Sequence, residues 1–212
     1  MCGRFANQLE NSESWDEYFN CDNLLDDIVN EVAIGYNIAP TQTIPIVTKD
    51  GWLAARWGLV APWATEISTK FATFNARSET VKEKATFKRA WNNNQRCVIP
   101  AIGYYEWKVE GNEKQPYFVC NINKSPMFFG GLYEPPREHI PASCTILTKQ
   151  ADKKMSALHP RVPYIFKSEG IQRWLQRGIA NETFPEFLYY PVSKSVNNPN
   201  NQGSELVIQT KK

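Results

Sequence analysis

Runs of apolar and β-branched residues, separated by turn-forming residues, dominate this chain and predict strands. Residues 43–60 (TIPIVTKDGWLAARWGLV) contain two such runs around Asp50 and Gly51, a dipeptide typical of a tight hairpin turn. Residues 142–150 predict another strand, and the short run ELVIQ at 205–209 predicts a last one after a polar loop.

The longest strand-like region is residues 96–134, which contains apolar and aromatic runs broken by polar residues. Turns are predicted near Gly111 and near residues 123–125, so this region predicts three strands. Such a density of strand signals favours a β-rich protein.

Helical patterns are fewer. A helix is predicted to begin near Ser14, where Ser-Trp-Asp-Glu has the spacing of a capping box. Further helices are predicted at about residues 80–92, 150–156 and 168–178, the last with Gly178 as its C-cap. The expected fold is α+β: one β-rich domain over residues 1–212 with a few peripheral helices.

Composition agrees with a folded domain and excludes several classes of protein. The 212 residues are 42% hydrophobic and 13% aromatic, enough for a sizeable core. The net charge of +2 does not by itself indicate nucleic acid, a membrane or an acidic partner. No secretion signal and no membrane-spanning run is present, so we expect a soluble, cytoplasmic protein, associated with the nucleoid if it is bacterial. We also expect a monomer without an obligate protein partner.

The cysteines are odd in number, widely separated and without a Cys-x-x-Cys pair. With only two histidines in the chain, His139 and His159, they do not indicate a zinc site. We expect free thiols, no metal and no cofactor. The cysteines are Cys2, Cys21, Cys97, Cys120 and Cys144.

Cys2 is the first candidate for chemistry, because it follows Met1 directly. Once Met1 is removed, Cys2 has an α-amine and a thiol on adjacent carbons. The amine condenses with an aldehyde to an imine, and the thiol then closes on the imine carbon to give a five-membered thiazolidine. The alternative is that Cys2 is only a small buried apolar residue near a terminus.

The segment FNARSET (74–80) is the second candidate. If it is extended, Asn75, Arg77 and Glu79 lie on one face and offer an amide, a cation suited to phosphate and an acid. The alternative is a solvated edge strand with an Arg–Glu pair.

Two further segments offer acid–base groups. Glu106 lies among aromatic residues in GYYEWKV (103–109), on the same strand face as Tyr104, and such surroundings favour proton transfer near neutral pH. His159 precedes Pro160, which stiffens the backbone around a histidine suited to acid–base catalysis. Alternatively, Glu106 is a surface residue paired with a lysine and His159 is structural.

Basic residues are concentrated in residues 81–96 and include Lys82, Lys84, Lys88, Arg89 and Arg96 near Trp91. Trp52, Trp57 and Trp63 are expected to add aromatic surface, a combination that suits single-stranded nucleic acid. A solvated helix face with ordinary core tryptophans explains the same residues.

Seven motifs, in order and spanning nearly the whole chain, resemble the SOS-response-associated peptidase (SRAP) family of abasic-site processing proteins. They are MCGRF, YNIAP (36–40), WGLVAPW (57–63), FNARSET, YEWK (105–108), H-x-R-x-P (159–163) and PVSKSVNN…NQGSEL (191–206).

The resemblance implies a protein that recognises abasic sites in single-stranded DNA and shields them through a thiazolidine cross-link. It implies that Cys2 is the covalent nucleophile, that Asn75 positions Cys2 and the opened sugar, and that Glu106 and His159 transfer protons. The implied fold has a positively charged DNA-binding cleft. Peptidase activity, proposed to remove Met1 or to release the protein from DNA, is also implied. The implied DNA contacts are Arg4, Arg77, Arg161, Trp63 and Asn37.

The sequence departs from the family at one point, because Ala64 follows Trp63 where some relatives have a second tryptophan. Two other classes of function stay open. Glutamine amidotransferase domains with an N-terminal nucleophile also begin Met-Cys-Gly, although their further glycine-rich and arginine-containing motifs are not found here. A single-stranded DNA binding module in which Cys2 has no role is the other.

Overall fold

Two β-sheets make up most of the regular structure in the computed structural model, which describes residues 2–9, 14–68, 72–178 and 186–210. The strands are β1 (Phe5–Ala6), β2 (Thr43–Thr48), β3 (Gly51–Trp57), β4 (Asn75–Arg77), β5 (Arg96–Ala101), β6 (Gly103–Glu110), β7 (Glu113–Asn121), β8 (Met127–Glu134), β9 (Ser143–Gln150), β10 (Arg161–Pro163), β11 (Ile165–Phe166) and β12 (Phe187–Pro191). The helices are α1 (Ala85–Asn92) and α2 (Ile171–Arg177), with short 3-10 helices at Trp15–Tyr18, Leu25–Asp27, Val29–Glu31, Met155–Ala157, Ser168–Gly170, Lys194–Asn197 and Ser204–Val207.

The smaller sheet is antiparallel, in the order β1-β6-β7-β12. The larger sheet has the order β10-β9-β3-β2-β5-β8-β11, with β4 also on β9. A further pairing of β8 with β9 closes five of its strands, β2, β3, β9, β8 and β5, into a ring. Within the described residues, no helix has the length and apolar composition that crossing a bilayer requires.

The larger sheet is buried on both faces. Phe129 and Ile146 pack into a core shared with the smaller sheet, whereas their neighbours Phe128 and Leu147 pack into a second core on the opposite face. Successive strand residues point to opposite faces, so a sheet covered on both sides needs continuous apolar runs. Helix α2 and the first 3-10 helix cover the second core with Trp174 and Trp15.

Several local predictions are confirmed. The hairpin forms as β2 and β3, and Gly51 has the positive φ of 111° that the Asp50-Gly51 dipeptide favours. Helix α2 ends at Gly178, whose φ of 65° gives the left-handed C-cap. Ser14 caps its helix through its side chain, although only one 3-10 turn follows.

Three predictions are wrong. Residues 96–134 form four strands, because the chain leaves the larger sheet and enters the smaller one at Ile102. Residues 150–156 do not form a helix, since β9 continues to Gln150 and only Met155–Ala157 turns. The run at 205–209 is not a strand: Ser204–Val207 forms a 3-10 turn that buries Leu206.

Candidate functional site

Four elements bring the four predicted catalytic residues together at one end of β1. Asn75, at the start of β4, donates from Nδ2 to the carbonyl oxygen of Cys2 over 2.7 Å. Glu106, in β6, has Oε1 at 3.9 Å from Nδ1 of His159, in the loop before β10. The charge of Glu106 also acts on the thiol of Cys2, so all four side chains belong to one site.

Strand pairing explains this meeting of distant segments. Strand β1 lies along β6 with Phe5 opposite Tyr104, which places the N-terminus beside Glu106. Strands β4 and β10 pair with β9 from its two sides, since both face Thr148, and this brings the segments of Asn75 and His159 to the same strand. The site therefore depends on pairings between strands far apart in sequence.

Cys2 is completely buried and packs within the core shared by the two sheets. Burial, and then the nearby Glu106 carboxylate, raise the pKa of the Cys2 thiol far above its ordinary value. The thiol is therefore neutral near pH 7 and needs a base to become a nucleophile. The structure accordingly combines the burial expected of a core cysteine with the neighbours expected of a reactive one.

Glu106 is also buried, with only 4% of its surface exposed, so the alternative of a surface glutamate paired with Lys108 or Lys114 is wrong. Its position two residues after Tyr104 gives both side chains the same sheet face. A carboxylate enclosed beside a thiol and an imidazole is well placed to accept and return a proton.

His159 is held by the backbone of Arg161. Its Nδ1 lies 3.0 Å from the amide nitrogen and 2.9 Å from the carbonyl oxygen of Arg161. Nδ1 accepts a hydrogen bond from that amide when it has no proton and donates one to that carbonyl when it has one. The backbone of Arg161 therefore holds the imidazole ring in place.

The guanidinium of Arg161 forms a bidentate pair with Glu79, at 2.7 and 2.8 Å, and also donates to Thr148. The hydrogen bonds from Arg161 to Glu79 lower the pKa of Glu79 to about 2. Glu79 lies in the turn after β4, not on the face shared by Asn75 and Arg77, so the prediction of three residues on one extended face is wrong for Glu79.

Arg4 and Asn37 form an interior cluster with the C-terminal part of the chain. Arg4 donates from Nη1 to Oδ1 of Asn37 at 2.7 Å and to the carbonyl of Val196 at 2.8 Å. Asn37 is completely buried, and its Nδ2 donates to the carbonyls of Val196, Asn198 and Asn201. The structure thus corrects the prediction that Asn37 contacts DNA directly, because its amide is fully used inside the protein.

Arg77 and Trp63 have the exposure expected of DNA contacts. Arg77 is exposed on β4, and Trp63 is 61% exposed. The segment that presents Trp63 is held by Arg137, which donates from Nη2 to the carbonyls of Ala61 at 2.6 Å and Ala64 at 3.0 Å. No sequence pattern singled out Arg137, since it lies 76 residues from Ala61.

Part of the basic and aromatic region at residues 81–96 has contacts within the protein, while Lys84 and Lys88 are exposed. Lys82 and Arg96 stack on Trp91 at 5.2 and 5.3 Å, and Arg89 pairs with the buried Glu134. The prediction of aromatic surface is also wrong for Trp52 and Trp57, which are buried. Trp52 packs in the second core, and Trp57 packs in the core shared by the two sheets.

The site contains the thiol of Cys2, the amide of Asn75, which holds the backbone of Cys2, and the carboxylate–imidazole pair of Glu106 and His159. The thiol is kept protonated until a base acts on it, and the pair beside it is suited to that task. This is the arrangement needed for a covalent reaction in which protons move between substrate and protein.

Comparison with known proteins gives concordant results. The family described as SOS response associated peptidase (SRAP) matches residues 1–199. The abasic site processing protein YoqW of Bacillus subtilis (strain 168) is 34% identical over 98% of this chain and 99% of its own. The abasic site processing protein YedK of Escherichia coli (strain K12) is 30% identical over 98% of this chain and 99% of its own.

The fold is also similar to that of solved structures. A crystal structure of a protein from Bacteroides thetaiotaomicron superposes with a TM-score of 0.80 over 99% of this chain and 100% of that one, at 20% identity. At that identity the likeness concerns the fold: a β-rich α+β architecture of the kind described above.

Proposed function

The chain belongs to the SOS response associated peptidase (SRAP) family, and from that premise we propose that it processes abasic sites in DNA through a covalent bond to Cys2. The observation on which the proposal chiefly rests is the placement of Cys2 between the Asn75 amide and the Glu106–His159 pair. The names of the relatives, abasic site processing proteins, point to the substrate.

The first step of the proposed reaction uses the amine of Cys2, which is free once Met1 has been removed. The ring-opened sugar of an abasic site has an aldehyde at C1. The amine nitrogen attacks that carbon, the carbonyl π electrons move to oxygen, and loss of water gives an imine. An α-amine has an ordinary pKa of about 7.7–8.0, so a useful fraction is neutral at pH 7.

The second step uses the sulfur. The thiol adds across the carbon–nitrogen double bond: a C–S bond forms, the π electrons move to nitrogen and the thiol proton is transferred there. Since burial raises the pKa of Cys2, the thiol needs Glu106 to accept its proton and to pass it on, with His159 as the second member of the pair. The product is a thiazolidine that links protein and DNA.

Ring closure also decides the fate of the DNA strand. An imine acidifies the protons on the adjacent sugar carbon, and loss of such a proton leads to strand cleavage of the lyase type. Thiol addition consumes the imine and thereby stops that elimination. We propose that the fast second step makes shielding, not cleavage, the main outcome.

The peptidase activity in the family name has a place in the same site. Hydrolysis of the bond between Met1 and Cys2 needs a nucleophile and an acid–base pair. We propose that Cys2, Glu106 and His159 supply them and that this cleavage prepares the amine for DNA.

DNA binding is proposed to use the exposed groups around the site. Arg77 and Trp63 offer a phosphate contact and a stacking ring, which suit a single strand because its bases are accessible. Arg161 would meet phosphate in competition with Glu79. Arg4 supports the N-terminus from within and has one Nη already engaged twice. We propose that a monomer is the active form.

The test combines intact mass with cross-linking. After mass spectrometry confirms removal of Met1, the protein is mixed with a uracil-excised single strand and examined on denaturing gels. We expect an adduct stable to heat and detergent without a reductant. For Cys2→Ala, Met1 is removed with an added methionine aminopeptidase and the removal is confirmed by mass. The variant then has the terminal amine of residue 2 but no thiol, so it is expected to give an adduct only when borohydride traps the imine.

Two outcomes would contradict the proposal. Absence of an adduct with fully processed protein would leave only non-covalent DNA binding. A stable adduct of Cys2→Ala without borohydride would place the nucleophile elsewhere. An undamaged strand of the same sequence is the control for binding alone.

A further inference from the structure

Tyr104 lies within the candidate site but has no part in the reaction described above. It is in β6, two residues before Glu106 and on the same sheet face, and it pairs across the sheet with Phe5, three residues after Cys2. Its ring is completely buried and lies edge-on to Phe129, with 6.1 Å between ring centroids. The ring therefore has little freedom to move.

The hydroxyl of Tyr104 is buried, and no described residue forms a hydrogen bond with it. Other tyrosines of the same sheet use theirs: Tyr105 donates to the carbonyl of Tyr36 at 2.7 Å, and Tyr190 donates to that of Val207 at 2.9 Å. An unsatisfied buried hydroxyl opposes folding, so proteins seldom retain one without a reason.

The electrostatic surroundings of this hydroxyl include the reacting groups. Burial, and then the charges of Cys2, Glu106 and Asp152, raise the pKa of Tyr104 well above its ordinary value. The hydroxyl consequently keeps its proton throughout the physiological range. It can serve as a hydrogen-bond donor, but not as a base.

We propose that Tyr104 is a further catalytic residue, whose buried hydroxyl donates a hydrogen bond to the oxygen of the aldehyde captured by Cys2. This inference rests on the proposed function and adds the group that stabilises the first intermediate. As the amine attacks, the carbonyl π electrons collect on oxygen, and a donor fixed in a water-poor site stabilises that charge. The proton that neutralises the oxygen comes from the attacking nitrogen, by way of Glu106, and Tyr104 retains its own proton.

The test compares Tyr104→Phe with Tyr105→Phe. Each variant loses one hydroxyl from a completely buried ring, but only Tyr105 has a hydrogen-bond partner among the described residues. Three quantities are measured for each: the rate of adduct formation at saturating abasic DNA, the affinity for an undamaged single strand and the thermal midpoint Tm.

For Tyr104→Phe we expect an adduct rate about 10²-fold lower, an unchanged affinity and a Tm equal to or above that of the unmodified protein. For Tyr105→Phe we expect the reverse: a lower Tm with the adduct rate of the folded protein retained. Such opposite signatures would separate a hydroxyl used in the reaction from one used in folding.

An unchanged adduct rate in Tyr104→Phe would overturn the proposal. So would a lowered Tm, because it would show that the hydroxyl has a structural partner. If the unmodified protein forms no adduct, both this inference and the proposed function fail. If it forms one and Tyr104→Phe matches it, only the inference fails.

Discussion

Replacing Asn75 by alanine removes the amide that donates to the carbonyl of Cys2 over 2.7 Å. We expect this change to misplace the amine and thiol during reaction while leaving the fold intact. Asn75→Ala is therefore a direct test of whether positioning of Cys2 limits the rate.

The magnitude follows from the hydrogen bond. Leaving a buried acceptor unsatisfied costs about 1–3 kcal/mol. Because about 1.4 kcal/mol corresponds to a factor of ten, adduct formation at saturating DNA is expected to slow by about 5- to 150-fold if the whole cost appears in the transition state. The free energy of unfolding is expected to change by less than about 1 kcal/mol, since the substitution also removes Oδ1, a buried atom that no described residue satisfies.

Asn121 provides a matched control. Its Nδ2 also donates to backbone carbonyls, those of Ser125 and Pro126, both at 2.9 Å, and its Oδ1 is likewise buried without a described partner. It is the last residue of β7, whereas Asn75 holds Cys2. Single-turnover cross-linking on denaturing gels should show slowing for Asn75→Ala and not for Asn121→Ala. Equal rates for Asn75→Ala and the unmodified protein would refute the positioning argument.

Three further predictions concern other parts of the site. Glu106→Gln should slow adduct formation by roughly 10²–10⁴-fold, because it removes the proton acceptor beside a thiol of raised pKa; unchanged kinetics would exclude Glu106 from proton transfer. Trp63→Ala should weaken binding to undamaged single strands by about 1–3 kcal/mol. Arg137→Ala should weaken this binding by less than Trp63→Ala does. It should cause no further loss in the double variant, because Arg137 holds the segment that presents Trp63; additive losses measured by fluorescence anisotropy would disprove that coupling. Finally, the pKa of Glu79 is lowered from 4.5 to about 2, so the stabilisation by its pair with Arg161 is complete above about pH 4.5 and is lost as the pH falls through about 2. An NMR titration should give Glu79 a midpoint near 2, and Arg161→Ala should return it towards 4.5; a midpoint near 4.5 in the unmodified protein would show that the pair does not form in solution.

The sequence predicted the features that depend on neighbouring residues. The hairpin at Asp50 and Gly51 and the helix end at Gly178 follow from backbone conformations that glycine adopts at low cost. The prediction of a strand at 205–209 is wrong because a short apolar run of this kind is also typical of a strand. The buried position of Leu206 instead results from a 3-10 turn packed against the rest of the protein.

The break at Ile102 shows a second kind of limit. Residues 97–105 are mostly apolar and aromatic, and Pro100 and Gly103 are the local signs of a break between strands. The division arises because the segment before Ile102 pairs with β8 and the segment after it pairs with β7. The pairing of β5 with β8 and of β6 with β7 fixes the boundary at Ile102.

The candidate site shows the same division. Resemblance to the family supplied Cys2, Asn75, Glu106 and His159, which the structure brings together. It gave no indication that Asn37 is buried. The amide of Asn37 donates to carbonyl groups that lie 159 to 164 residues later in the chain. Interactions across that separation leave no periodic trace in a sequence.

The cluster of Arg4 and Asn37 links the beginning of the chain to Val196, 192 residues later. During synthesis on the ribosome, Cys2 and Arg4 are made long before Val196, so the segment around Cys2 lacks this support until residue 196 is available. A nascent chain thus contains Cys2, Asn75, Glu106 and His159 before Val196 is available to hold Arg4. Chains truncated before Val196 should retain Cys2 but lose the hydrogen bond that supports its segment. We expect them to react slowly with aldehydes and with little preference for DNA.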